Sequence, residues 1–568
     1  MSARRKNVIW LQLDTLRSDF LGFGGCRPSP SPVLDACFAG GLAAVNAFST
    51  GCPTQMAMPG FMTSTLPLDC GGYNLGIRDR PDTVAEVFQR HGYHTISLNP
   101  GRAGSLEGGY ARGFARFGRY WGALGFLEHI KRFERHLYLA HESGQKSSAE
   151  CAAILQPVLA EMFPAARDYA REKIAEIRDR RIGVSPNTAF TADECAEFLD
   201  VVTREEAAFS ADQAGYIGDM VRRVRERGAP SRLLNFIRRL RGLPYLEAMP
   251  ILRQTQRMEE RCDARKRAIA AALPTAAPGL EMDASQFEFP SLGFLLDELG
   301  REIEAAGDRP FFAYLVSCDV HPEPNFVTYE RHADRGVIGG ELEAVAQFAR
   351  EASARGASRD EVRYLASVRY VDLQVARLTA MLRARGLLDD TVLLLMSDHG
   401  TNAPGKPARI NARATNSFYD EFFRIPLAYT GPGIGPRVHA GLCSALDVAP
   451  TLLGLVDLPS PASFKGASIV NAATPGRAHV FMEHMGAGIC DFDDKPMTVA
   501  VRSLVCKVVY EMAGRRSPAP GFVRECYDLR RDPDEQENLA ASAPALSEAR
   551  PLIAAAEQRV AEIRAQLR

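Results

Sequence analysis

The tetrad Ser397-Asp398-His399-Gly400 follows the apolar run Thr391-Val392-Leu393-Leu394-Leu395-Met396. A run of this composition reads as a buried parallel strand. A carboxylate and an imidazole at its carboxyl end, followed by glycine, read as part of a ligand site at the top of an α/β sheet. The N-terminal region repeats the pattern, where Asn7-Val8-Ile9-Trp10-Leu11-Gln12-Leu13 leads into Asp14-Thr15-Leu16-Arg17-Ser18-Asp19. Two strand ends that bring Asp14, Asp398 and His399 to one edge supply ligands for a divalent metal. Either motif alone also reads as a helix N-cap, a common place for Asp and Ser. Together they favour the metal. Carboxylate oxygens suit Ca, Mg or Mn, and the imidazole brings Zn into range.

The chain has 568 residues and is 46% hydrophobic, enough for a large core and more than one domain. Its 68 basic and 69 acidic residues leave a formal net charge of -1, so global charge argues for neither nucleic acid nor an anionic membrane as partner. Local basic clusters such as Arg222-Arg223-Val224-Arg225 and Arg238-Arg239-Leu240-Arg241 read as solvated helix faces. The start Met1–Lys6 is basic, but the apolar run after it is short and meets Asp14, which gives no signal peptide. No apolar stretch approaches membrane-spanning length. The 12 cysteines show no CxxC spacing, and reduced thiols in the cytoplasm are expected. Cys26, Cys37 and Cys70 read as core or loop thiols.

The elements that must position the acidic and imidazole groups alternate along residues 1–118. The strand Asn7–Leu13, a Gly/Pro/Ser-rich turn over 22–32, a short helix over 33–39, a helix opened by a capping Asp82, and a strand over 95–98 predict a mostly parallel sheet flanked by helices. Residues 119–285 lose strand character. Charged helical patterns over 128–141, 149–177, 192–209, 212–227 and 232–241 predict a helical insertion that either caps the site or mediates self-association as a homo-oligomer. The α/β pattern resumes over 286–475, with a helix over 291–306, the strand Pro310–Ser317, a long helix over 360–385 and the Asp398 strand. Shorter strands over 480–483, 498–501 and 507–510 and a helix over 545–567 predict a small antiparallel C-terminal subdomain, 476–568.

These residues resemble the sulfatase-like branch of the alkaline phosphatase superfamily. The resemblance lies in Asp14-Thr15-Leu16-Arg17-Ser18-Asp19-Phe20-Leu21-Gly22, Pro32-Val33-Leu34-Asp35, Thr63-Ser64-Thr65-Leu66-Pro67, Gly92-Tyr93-His94-Thr95, Gly113-Phe114-Ala115-Arg116-Phe117, Asp319-Val320-His321-Pro322, Ser397-Asp398-His399-Gly400, Tyr419-Asp420-Glu421, Arg424-Ile425-Pro426-Leu427, Asp447-Val448-Ala449-Pro450-Thr451-Leu452-Leu453 and Tyr527-Asp528-Leu529. Each is weak alone, but their order and number cover almost everything outside the insertion. The resemblance implies the superfamily's fold and a metal-dependent ester hydrolase.

The departure is at the nucleophile. Sulfatases place a cysteine, converted to formylglycine, in a Cys-x-Pro-x-Arg context. Here the segment is Ser49-Thr50-Gly51-Cys52-Pro53-Thr54-Gln55-Met56-Ala57-Met58, with methionine where either register expects arginine. Counting back from Thr63-Ser64 puts Thr54 at the nucleophile position, as in the phosphoesterase members, with Cys52 two residues earlier. An alcohol needs a base or a metal to become a nucleophile, so Thr54 is expected on the metal as well. The second aspartate of sulfatases is replaced by Thr15, which shifts the expectation from Ca towards Zn or Mn. One ion is favoured. Asp319, His321 and His484 are spare groups for a second, and the resemblance implies instead that His321 meets the substrate as a general acid. A cation before Tyr419 would bind the ester oxygens. Thr415–Phe418 offers none, so Lys406 is the first candidate, ahead of Arg409, Asn411 and Arg413. Arg17 is expected to pair with Asp19.

The expected activity is hydrolysis of a sulfate, phosphate or phosphonate ester of a small molecule, glycan or lipid through Thr54. A transferase on the same site and a degraded metal-binding scaffold are the competing readings.

Overall fold

The computed structural model describes residues 5–99, 108–119, 137–138, 140–179, 191–219, 291–321, 335–402, 417–471, 475–485, 496–513 and 520–566. One sheet is built from β1 (Asn7–Leu13), β2 (Leu42–Phe48), β3 (His94–Asn99), β4 (Arg116–Arg119), β5 (Phe311–Ser317), β6 (Thr391–Met396), β7 (Arg424–Ile425), β8 (Leu427–Thr430) and β9 (Arg437–Ser444). Among the described residues it is nine-stranded, in the order β4-β3-β5-β1-β6-β8-β2-β7, with β9 paired to β2. β1 lies between β5 and β6 and is parallel to both, with Leu13 opposite Ser317 and Gln12 opposite Met396. All three strands are buried along their whole length, which is why they read as mainly apolar runs. β6 and β8 are antiparallel, so the sheet is mixed.

This register does the first part of the positioning. The residues just beyond β1 and β6 are Asp14 and Ser397-Asp398, and parallel neighbours in register bring those ends side by side. Trp10, fully buried in β1, meets Phe61 edge-on at 5.7 Å between ring centroids and Tyr314 at 5.3 Å. The first contact ties the central strand to the helix Thr54–Thr63, at whose first turn Thr54 stands.

A second sheet comprises β10 (Val480–Met485), β11 (Met497–Arg502), β12 (Cys506–Met512) and β13 (Phe522–Asp528). Among the described residues it is four-stranded and antiparallel throughout. The helix Ala549–Gln566 covers one face through Leu552, Ala556, Val560 and Ile563, which share a core with Val499, Val501 and Val508.

The helix expected near residue 82 runs Val84–Arg90, and its N-cap is Thr83 rather than Asp82. Thr83 Oγ1 accepts the Glu86 N–H while Glu86 accepts the Thr83 N–H. A hydroxyl with Glu three residues on closes a reciprocal capping box that Asp82 could not complete. Asp82 instead pairs with Arg90 at 2.8 Å.

Two compact units separate. One gathers Met1–Ala103, Ala111–Gly118 and Ala264–Arg568, and includes both sheets; the other gathers Gly104–Tyr110 and Arg119–Asp263. In the second, the helices Ser148–Asp179 and Ala192–Ala211 pack together, the latter opened by a capping box between Thr191 and Glu194. Among the described residues no helix is long and apolar enough to cross a membrane.

Candidate active site

Asp14, Asp398 and His399 converge at the carboxyl ends of β1 and β6. All three are buried, and one ligand atom from each lies within 4.8 Å of the others. His399 Nε2 is 3.6 Å from Asp398 Oδ2 and 3.9 Å from Asp14 Oδ1. Neither of those carboxylate oxygens has a hydrogen-bond partner among the described residues.

The remaining oxygens are held. Asp398 Oδ1 accepts the His399 N–H at 2.9 Å and the Thr15 N–H at 3.2 Å. Asp14 Oδ2 takes a weak bond from the Cys318 thiol at 3.7 Å. Each carboxylate is thus fixed through one oxygen and presents the other, which is the arrangement of a metal ligand with its supporting shell.

His399 is oriented by its other edge. Nδ1 donates to Gly400 O at 2.7 Å, which in the neutral ring leaves the lone pair on Nε2. Gly400 itself is required here, since a Cβ would lie 2.0 Å from Glu421 O. The two edges face different neighbours. Thr54 Oγ1 is 3.3 Å from Nε2, on the carboxylate side. Cys52 Sγ is 3.5 Å from Nδ1, and the residue is only 2% exposed.

The charge balance points the same way as the geometry. Burial, and then the Asp398 charge, push the Asp14 carboxyl up to about 6. Burial opposes a charge on His399, yet Asp398, Cys52 and Asp14 hold its pKa well above the usual imidazole value. Two buried carboxylates facing one imidazole are a set that a divalent cation neutralises, and the donors present fit one.

The loop after Asp14 is held under strain. Thr15 has φ +62°, a left-handed conformation that costs a β-branched residue roughly 1–3 kcal/mol. Its hydroxyl donates to Asp14 O at 2.7 Å and lies 3.2 Å from Val320 O, and its N–H reaches Asp398. Tyr364 donates to Thr15 O at 3.0 Å and accepts the Arg17 N–H at 3.0 Å. Arg17 is buried and pairs with Asp19 at 2.7 Å and Glu421 at 3.2 Å, a structural network.

His321 follows β5, next to β1. Its N–H donates to Cys318 O at 3.2 Å, and its charge is near enough to lower the Asp14 pKa. Its Nδ1 is buried and has no partner among the described residues. Asp319 is committed elsewhere, since Oδ2 accepts the Leu292 N–H and the Ser317 hydroxyl, both at 2.7 Å, at the start of the helix Leu292–Ala306. His484 lies on β10, and neither it nor Asp319 joins the metal-competent group. Lys406, Arg409, Asn411 and Arg413 lie outside the described residues.

Sequence reasoning named Asp14, Thr54, His321, Asp398 and His399, and the structure brings Asp14, Thr54, Asp398 and His399 together. It did not name Cys318 or Tyr364 as supports. The Asp14 partner Cys318 stands beside the Asp319-Val320-His321 motif, a signal that was available; nothing local marks Tyr364.

The family model described as Sulfatase matches residues 6–150 and 254–458, more than half of the chain. The chain belongs to the sulfatase family. Among curated sulfatases, the choline-sulfatase of Rhizobium meliloti (strain 1021) is 37% identical over 97 residues, 17% of this chain and 18% of that enzyme. The chain is thus aligned to less than a fifth of that sulfatase's length. Among solved structures, the phosphonate monoester hydrolase of Agrobacterium radiobacter superposes with a TM-score of 0.54 at 17% identity, over 99% of this chain and 96% of that one. A protein in the alkaline phosphatase superfamily from Vibrio parahaemolyticus gives 0.50 at 13% identity, over 100% and 89%. These likenesses show that the sulfatase fold here is alkaline-phosphatase-like.

Proposed function

We propose that this chain hydrolyses a sulfate, phosphate or phosphonate ester through a covalent intermediate on Thr54, at a divalent metal held by Asp14, Asp398 and His399. The observation that carries the reading is the sorting of neighbours around His399. Thr54 shares the Nε2 edge with both free carboxylate oxygens, whereas Cys52 sits behind the ring on the Nδ1 edge. A bound divalent cation would supply Lewis-acid chemistry, lowering the pKa of a nearby hydroxyl and screening charge on the ester oxygens.

The chain's own groups have distinct tasks. Thr54 Oγ gives up its proton to a water molecule and forms a bond to sulfur or phosphorus as the bond to the leaving oxygen breaks. His321 gives that leaving oxygen a proton. The helix Thr54–Thr63 has no side-chain cap at Pro53, so the N-terminal end of its first turn would favour the ester anion. Lys406 is proposed to stabilise the charge developing on the ester oxygens. Water then cleaves the Thr54 ester and restores the hydroxyl. The choline-sulfatase relative and the phosphonate monoester hydrolase of like fold both support an ester of this class.

The test is turnover of 4-nitrophenyl sulfate, phosphate and phenylphosphonate with and without added Mn or Zn. Turnover that needs the metal and disappears in Thr54→Ala is expected. Full metal-dependent turnover by Thr54→Ala contradicts the assignment.

A further inference from the structure

We infer that His484 is a recognition residue of this site, contacting a second oxygen on the leaving alcohol; the inference rests on the ester-hydrolase reading above. β10 is laid along the segment that carries Cys52 and Thr54. The Glu483 N–H donates to Thr50 O at 2.9 Å. Two residues further, the Tyr73 hydroxyl donates to Met485 O at 3.2 Å and accepts the Met485 N–H at 3.3 Å, while Tyr73 O accepts Gln55 Nε2 at 3.3 Å. His484 is therefore held between a point pinned to Thr50 and a point pinned through Tyr73 to Gln55.

Strand alternation decides which way its side chain goes. Met485 shares an apolar cluster with Met56 and the terminal helix, and Glu483 pairs with Arg559 of that helix at 2.6 Å. Val480 and Met482, on the opposite face, share a cluster with Cys52, Phe48 and Phe418. His484 continues this second row, on the face of the sheet that packs against Cys52, whereas the first row meets Met56 two residues beyond Thr54.

The residue is only 8% exposed, and its Nε2 is buried with no hydrogen-bond partner among the described residues. A buried polar atom left unpaired is costly, and it pays to keep one where a ligand completes it. Burial, and then the Arg524 charge, lower its pKa to about 4, so the ring is neutral near pH 7. A neutral imidazole offers one donor and one acceptor, which suits a hydroxyl or ether oxygen rather than the anionic ester group. The substrate class this favours is an ester whose alcohol carries further oxygens, as a sugar does.

The test compares a 4-nitrophenyl ester with a glucose 6-ester of the same acid, using whichever of sulfate, phosphate or phenylphosphonate the wild type cleaves. In His484→Phe the ratio of kcat/KM, glucose ester over 4-nitrophenyl ester, is expected to fall by about tenfold or more, carried by KM. His484→Gln, which keeps a donor and an acceptor, is expected to restore the ratio to within about threefold. An unchanged ratio, an equal fall on both esters, or a fall that His484→Gln does not restore overturns the assignment while leaving the hydrolase reading intact. A wild type that cleaves none of the esters overturns the hydrolase reading, and this inference with it.

Discussion

His399 separates the two candidate nucleophiles by the edge each one faces. Nδ1 is spent on Gly400 O, so in the neutral ring the lone pair is on Nε2, and Thr54 is the hydroxyl that stands there. Thr54→Ala is expected to lower kcat by on the order of 10⁴-fold or more, as loss of a covalent nucleophile does. Cys52→Ala removes a contact to Nδ1 and is expected to cost under about tenfold, by loosening the ring. Steady-state assays of the two variants side by side check both values; a larger loss for Cys52→Ala contradicts the edge argument. Asp14, Asp398 and His399 were legible in the sequence because each ends an apolar run, and such runs end at the site edge of a parallel sheet. Thr54 was reachable only by counting from Thr63-Ser64, since nothing in its own neighbours marks a hydroxyl as reactive. Cys318 and Tyr364 support the loop through tertiary contacts that no local pattern encodes.

The elements are fastened to the site by a buried ion cluster. Arg559, 2% exposed, reaches from the helix Ala549–Gln566 to Asp69 at 2.9 Å and Glu483 at 2.6 Å. Asp69 Oδ2 accepts the Leu66 N–H at 2.8 Å and Glu483 Oε2 the Leu68 N–H at 2.9 Å, so one guanidinium ties the terminal helix, β10 and the stretch after the Thr54 helix. Removing Arg559 takes the guanidinium from Glu483 and leaves Asp69 with Lys465, so Arg559→Met is expected to cost about 3–5 kcal/mol near pH 7. Burial opposes ionisation of Asp69, but Arg559 and Lys465 hold its pKa below the ordinary value of 3.8. A depressed carboxyl stabilises the fold above that value, and the contribution is lost as pH falls beneath it. The cost of Arg559→Met should therefore shrink below about pH 4. Urea unfolding of both proteins across pH measures this, and a cost that does not change with pH contradicts the sign. Elements that are buried on both faces, such as β1, β5 and β6, were legible as apolar runs. β2, β9 and β13 were not, because they are partly exposed and interrupted by charged, polar or small residues. The helix Arg335–Ala354 was likewise unnamed, its first turns carrying Gly336, Gly339 and Gly340.

The molecule as a whole is nearly neutral, at a formal charge of -1, so any attraction for an anionic ester must come from the site and not from the global field. A cation that binds the folded chain and not the unfolded one stabilises it by mass action, by about 2.7 kcal/mol at a hundred times its Kd. Adding Mn or Zn to protein stripped with a chelator is expected to raise Tm, and Asp398→Asn to abolish the rise; an equal rise in that variant contradicts the metal site. The α/β architecture was legible from alternating strand and helix patterns, and the helices Ser148–Asp179 and Ala192–Ala211 from their charged periodicity. The basic clusters at Arg222–Arg225 and Arg238–Arg241 lie outside the described residues. The most direct measurement of the central claim is rapid acid quench of the metal-loaded enzyme during turnover of its 4-nitrophenyl ester, followed by peptide mapping of the trapped adduct. The mass of the transferred sulfuryl, phosphoryl or phosphonyl group on Thr54 is the predicted result. An adduct on Cys52, or turnover with no protein adduct at any quench time, would contradict it.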